Sequence, residues 1–132
     1  MLSAGISDPR AYRDRQQDWY AHFDRTRRRE IASLLTEELI AEHAANPIGY
    51  RDFHSPQLQR VLNYMRTQPV LGKYFVYTRK AWQDYGIAVI QDRGEPPHIL
   101  EGHSYESEAA AMHAVFLLRA QEIRDSVRES AR

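Results

Sequence analysis

The chain has 132 residues, 42% of them hydrophobic and 27% charged, with Lys+Arg and Asp+Glu balanced at 18 each. A chain of this length is expected to form one domain that buries roughly two-thirds of its unfolded surface, with little left over for a deep private active-site cavity. Zero net charge argues against a general nucleic-acid binder, and the lack of cysteine excludes disulfides, thiolate catalysis and Cys-ligated metals.

The opening MLSAGISDPR has no apolar run of signal length, and nothing later reads as a membrane span. The expectation is a soluble, cytoplasmic protein that does not engage membrane. Residues 1–7 read as a flexible tail. Asp8-Pro9 then offers an N-cap followed by proline at the first helical position. Tyr12, Trp19, Tyr20 and Phe23 follow at helical spacing, and Ile31, Leu34, Leu35 and Leu39 continue the stripe. One long helix, or two with a break near Asp24 to Thr26, fits this pattern equally well. Pro47 disfavours helix at Asn46 and ends it.

Residues 46–54, NPIGYRDFH, read as a loop carrying an aromatic pair, Tyr50 and Phe53. Ser55-Pro56 repeats the cap-plus-proline signature. A shorter helix follows with Leu58, Val61, Leu62 and Met65 on one side, ending before Pro69 and completing a helical region over 8–68.

Residues 69–132 read as a β-hairpin and a C-terminal helix. Lys73–Thr78 and Tyr85–Gln91 are expected strands, and neither alternates polar with apolar. Because successive strand side chains face opposite ways, such a sheet needs cover on both faces. Thr78 is expected to cap a helical turn carrying Trp82 in the connection to Asp84. His98–Leu100 is a candidate edge strand after Pro96-Pro97, since Pro97 cannot donate to a sheet. Ser107 caps a final helix to about Glu129, with Met112, Phe116, Ala120, Ile123 and Val127 recurring every three or four residues. The fold expected is helix-rich α+β over residues 1–132 as one domain. It comprises N-terminal helices, a small antiparallel sheet of two or three strands, and a long C-terminal helix packed on it.

Few residues point to chemistry. His22, His43, His54, His98, His103 and His113 are scattered, with no i, i+4 pair and no HExxH. Surface, capping or interface roles suit them better than metal ligation. Glu38 and Glu42 share a helix face, but a catalytic carboxylate needs burial and a raised pKa, so a solvated face is the simpler reading. The Arg25, Arg27, Arg28, Arg29 cluster spreads around a helix and reads first as a salt-bridge or partner-facing surface. The alternative is a free-standing nucleic-acid-binding module that uses Arg25 to Arg29 and the aromatic residues. No nucleotide-binding or nucleophile-elbow motif occurs. No catalytic residue and no metal ligand is assigned. Tyr50, Phe53, Tyr74, Tyr77, Trp82 and Tyr85 are the candidate partner interface, since aromatics with a polar handle suit core and interface together.

Four extended strings carry a family likeness: AYRDRQQDWYAHFDRTRRREI, AEHAANPIGYRDFHSPQLQRVLNYMRTQP, GKYFVYTRKAWQDYGIAVI and AMHAVFLLRAQEIR. Through them the chain resembles the small (alpha) subunit of bacterial N,N-dimethylformamidase over nearly its whole length. The resemblance implies an enzyme that hydrolyses N,N-dimethylformamide to dimethylamine and formate, built from small and large subunits in a heterotetramer or larger assembly. It also implies that the iron and the catalytic residues belong to the large subunit, where tyrosines and a glutamate hold the metal. On that footing the chain carries no cofactor, binds the large (beta) subunit, and serves to stabilise and assemble it. Tyr74 and Tyr77 are then structural residues and not iron ligands.

Overall fold

Four helices and three strands follow one another in a computed structural model that describes residues 9–49, 53–68, 72–92 and 94–130, with side chains over 22–129 of these. They are α1 (Pro9–Leu34), α2 (Glu37–Ala45), α3 (Pro56–Thr67), β1 (Tyr74–Lys80), β2 (Asp84–Val89), β3 (His98–Ile99) and α4 (Glu108–Ser130). The helix-rich α+β expectation holds. The Asp8 cap lies outside the described residues.

The break among the N-terminal helices falls later than the sequence suggests. α1 runs unbroken through Asp24 to Thr26 and stops at Leu34. Thr36 then starts α2, its hydroxyl accepting from the Leu39 backbone N–H at 3.2 Å. A threonine cap satisfies one of the donors that a new helix leaves unpaired. Arg124 of α4 reaches over and donates to the Leu35 carbonyl at 2.5 Å, which secures the break. Asn46 ends α2 and Pro47 keeps the chain from resuming it.

α3 begins as expected, with the Ser55 hydroxyl accepting from the Leu58 N–H and Pro56 in the first turn. Its last carbonyls are met by cations, the usual complement to a helix C-terminus. Arg119 donates to the Met65 carbonyl, and the Lys73 ammonium to those of Arg66 and Gln68 at 3.2 and 3.5 Å. Ser107 caps α4, its hydroxyl accepting from Ala110 N–H at 3.1 Å.

The main core is helical. Ile31, Leu35 and Leu39 from the N-terminal helices meet Leu58, Val61, Tyr64 and Met65 of α3 and Phe116, Ala120 and Ile123 of α4. Each fully buried aliphatic side chain here contributes about 1.5–3 kcal/mol. α1 and α2 both pack against α3 and α4.

The antiparallel sheet has the order β1-β2-β3, with Val76 opposite Ile87 and Tyr77 opposite Gly86. In place of the expected helical turn, β1 continues to Lys80 through a register shift between Thr78 and Lys80, and residues 81–83 form a turn. α4 lies along one face of the sheet. The central strand is covered on both faces, since Tyr85, Gly86, Ile87 and Ala88 are all buried, whereas Tyr74 to Tyr77 of β1 are half-buried. No described helix is long and apolar enough to cross a membrane.

Candidate functional site

Two places in the molecule stand out, the tip of the β1–β2 hairpin and a histidine cluster between α2 and α4.

At the tip, Gln83 N–H donates to the Lys80 carbonyl at 3.0 Å, closing a four-residue turn with Trp82 in third position. Trp82 has φ +66°, the left-handed region, where glycine or asparagine is the ordinary choice. Its side chain is 88% exposed. The turn is braced from behind. Trp82 N–H donates to the Tyr85 hydroxyl at 3.2 Å, and Tyr85 itself is only 7% exposed. Tyr85 also exchanges two backbone hydrogen bonds, each 2.9 Å, with Tyr105.

Beside the tip, Tyr77 and Arg79 make a stacked pair. The guanidinium carbon sits 5.5 Å from the ring centroid and the Arg79 Nε–H donates to the Tyr77 hydroxyl at 2.9 Å. Gly86 makes room for them. A methyl group there would stand 2.7 Å from the Tyr77 ring and 2.5 Å from the Arg79 guanidinium. Arg79 also faces Asp84 at 3.5 Å and donates to the His103 carbonyl, while Asp84 accepts from the Ser104 hydroxyl at 2.7 Å. The hairpin end is thus held rigidly while its indole stays in water.

The other candidate interface residues are spread more widely. Tyr74 turns toward α4, where its hydroxyl meets Glu122; burial, then that contact, raises its pKa. Phe53 is fully exposed (102%) on the segment before α3. Tyr50 lies outside the described residues.

The histidine cluster has no precedent in sequence spacing. His43 of α2 is 3% exposed and its Nδ1 lies 2.8 Å from Nδ1 of His113 on α4, seventy positions away. The His43 ring stacks on Phe116, with centroids 4.0 Å apart and planes 13° from parallel. His54 lies 6.4 Å from His43, ring to ring, and its Nε2–H donates to the Asn46 carbonyl at 2.8 Å. Burial, then the neighbouring His113, pushes the His43 pKa down from 6.5 to about 4, and burial lowers that of His113. One sequence signal existed: His43 sits four residues after Leu39, on the apolar side of α2. The cluster borders a groove of about 420 Å³, lined also by Val76, Met112 and Arg119.

The two α2 carboxylates beside this cluster lack the setting a general acid needs. Glu42 accepts from Ser55 N–H at 2.8 Å, and that bond lowers its pKa, the reverse of what a general acid needs. Glu38 is exposed. Among the described residues no three His, Asp or Glu side chains converge as metal ligands would.

The arginine cluster divides. Arg25, Arg27 and Arg29 are exposed, but Arg28 turns inward. It donates to the Tyr64 hydroxyl (3.1 Å), Ser126 Oγ (2.6 Å), Asp24 Oδ2 (2.9 Å) and Gln68 Oε1 (3.3 Å). It joins α1, α3 and α4.

Comparison with known proteins gives a consistent result. A family model described as N,N-dimethylformamidase alpha subunit matches residues 18–130. A protein of Paracoccus aminophilus named N,N-dimethylformamidase alpha subunit is 48% identical over 127 residues, covering 95% of this chain and 89% of that protein. A protein of the same name from an Alcaligenes species is 50% identical over 121 residues, covering 90% and 91%. Relatives this similar over this much of both chains share one fold and one ancestry, and the chain belongs to the N,N-dimethylformamidase alpha subunit family.

Proposed function

We propose that this chain is the non-catalytic small subunit of a cytoplasmic N,N-dimethylformamidase and that it stabilises and assembles the large (beta) subunit. In this reading the large subunit holds the iron and hydrolyses the amide to dimethylamine and formate. The assembly is a heterotetramer or a multiple of one.

The observation that carries the reading is Trp82. A bulky residue held at positive φ with its indole in water is a cost to the isolated chain. A partner that buries the indole offsets that cost, and tryptophan is among the residues most often found at the energetic centre of an interface. The Tyr77–Arg79 pair beside the tip extends the contact, and exposed Phe53 before α3 offers a second one. The family membership supports the same reading, since the relatives are named as one subunit of an enzyme. The titratable groups of the interior and its edge fit it too. Buried His43 and Tyr64 and half-exposed Glu42 are each engaged by other parts of the chain.

Co-expression with the large subunit tests it. The expected result is a complex that contains iron and hydrolyses N,N-dimethylformamide, with a small subunit that alone shows neither. Trp82→Ala should reduce recovery of the complex while leaving turnover per assembled complex intact. Stoichiometric iron in the isolated chain, or full assembly with turnover abolished by Trp82→Ala, would overturn it.

A further inference from the structure

We propose that His43 and His113 form a one-proton latch that closes α2 onto α4 at neutral pH and releases it in acid. Two facing Nδ1 atoms 2.8 Å apart can hold a single hydrogen between them. One ring is therefore the donor, in the Nδ1–H form that a free imidazole disfavours. The other accepts through its bare Nδ1 and keeps its proton on Nε2.

The proton count follows from this. The neutral pair carries two protons over four nitrogens, one of them shared. A third proton fills the remaining Nε2 and leaves the shared bond intact, but it charges a site of low dielectric. A fourth places N–H groups on both facing nitrogens and breaks the contact. Burial resists the third proton and geometry forbids the fourth.

The surroundings do little to ease the charge. On α2 the adjacent charged group is Glu42, whose carboxylate is already bound to Ser55 N–H. From the segment before α3 comes His54, bound to the Asn46 carbonyl. α3 contributes Arg66, and α4 contributes Glu108 and Arg119, which border the same groove. Phe116 covers the His43 ring. Opening the latch would free α2 together with His54 and Ser55, because Asn46 and Glu42 hold those two residues to α2.

The full chain labelled with 15N tests the proposal. At pH 7 long-range proton–nitrogen spectra should show one of the two rings protonated on Nδ1, the other on Nε2, and both neutral. A ring that binds a proton near pH 4 when closed and near 6.5 when open makes opening roughly 100-fold easier at pH 4 than at pH 7. Amide protection factors over α2 should fall by that order while those of β2 hold. His43→Phe, which keeps the stack on Phe116, should remove most of the pH dependence. Two rings both protonated only on Nε2 at pH 7 would overturn the proposal. So would α2 protection that does not change between pH 7 and 4. Both readings come from the wild-type chain and stand even if the variant fails to fold.

Discussion

If the proposed assembly holds, Trp82 separates folding from association at a single residue. A left-handed backbone costs a non-glycine residue roughly 1–2 kcal/mol, and an exposed indole offsets none of that in the free chain. Trp82→Gly removes the strain but adds freedom to the unfolded chain, so free-chain stability should stay within about 1 kcal/mol of wild type, on the stabilising side. Under the proposed function, the same change should weaken association with the large subunit proposed as partner by about 2 kcal/mol or more, which is ~30-fold. Trp82→Ala should weaken association equally yet keep the strain. Thermal melting of the two variants alone, and titration of each against the large subunit, checks the pair. If glycine and alanine behave alike in the melt, the turn is not strained. Sequence shows Trp82 amid the aromatics of 74–85 but not its exposure or its positive φ. No Gly or Asn marks the turn at 81–83, so a helical turn looks equally good until the strand pairing is known.

At the scale of elements, the Arg28 cluster ties three helices together. Its guanidinium meets Tyr64 of α3, Ser126 of α4, Gln68 just past α3, and Asp24 on its own helix; the Tyr64 hydroxyl donates to Asp24 at 2.8 Å. Half-buried groups bonded this fully leave orphaned partners when one is cut away. Arg28→Ala should therefore cost about 2–3 kcal/mol, read as a lower urea midpoint at unchanged slope. Arg28→Lys should recover little of it, because an ammonium cannot span four acceptors laid out for a planar fork. Full recovery by lysine would mean that charge alone matters here. The helices were mostly legible because their ends are local chemistry. Ser55-Pro56, Ser107 and Asn46-Pro47 mark boundaries that the structure reproduces. The α1–α2 break was not legible, because the apolar stripe Ile31, Leu35, Leu39 runs straight across it into one core. Nor could sequence single out Arg28 among its neighbours, since three of its four partners lie 36 to 98 positions away, on or just past other helices.

For the molecule as a whole, acid should loosen the fold in two separable steps. Sequence could hint that His43 faces the core but could not assemble the cluster: His43, His54 and His113 share no spacing, and the packing of α2, α3 and α4 alone brings them together. Once assembled, the cluster gives stability a definite pH dependence. His43 has its folded pKa lowered from 6.5 to about 4, so the unfolded chain binds more protons than the folded one between those values. Stability is then fully present above pH 6.5 and is lost as pH falls toward 4, by up to about 3 kcal/mol if the ring stays buried. Glu42 acts lower down. Its carboxylate is held below the ordinary value by the Ser55 N–H, so its contribution is present above the unfolded carboxylate pKa and disappears as pH falls through the folded one. Urea midpoints measured from pH 7.5 to 3.5 should show this. His43→Phe should flatten the profile above pH 4 and leave the lower limb. Glu42→Gln should do the opposite. A wild-type midpoint that is level between pH 6.5 and 4.5 would mean that His43 is not a buried neutral ring, and the coupling of α2 to α4 would need another cause.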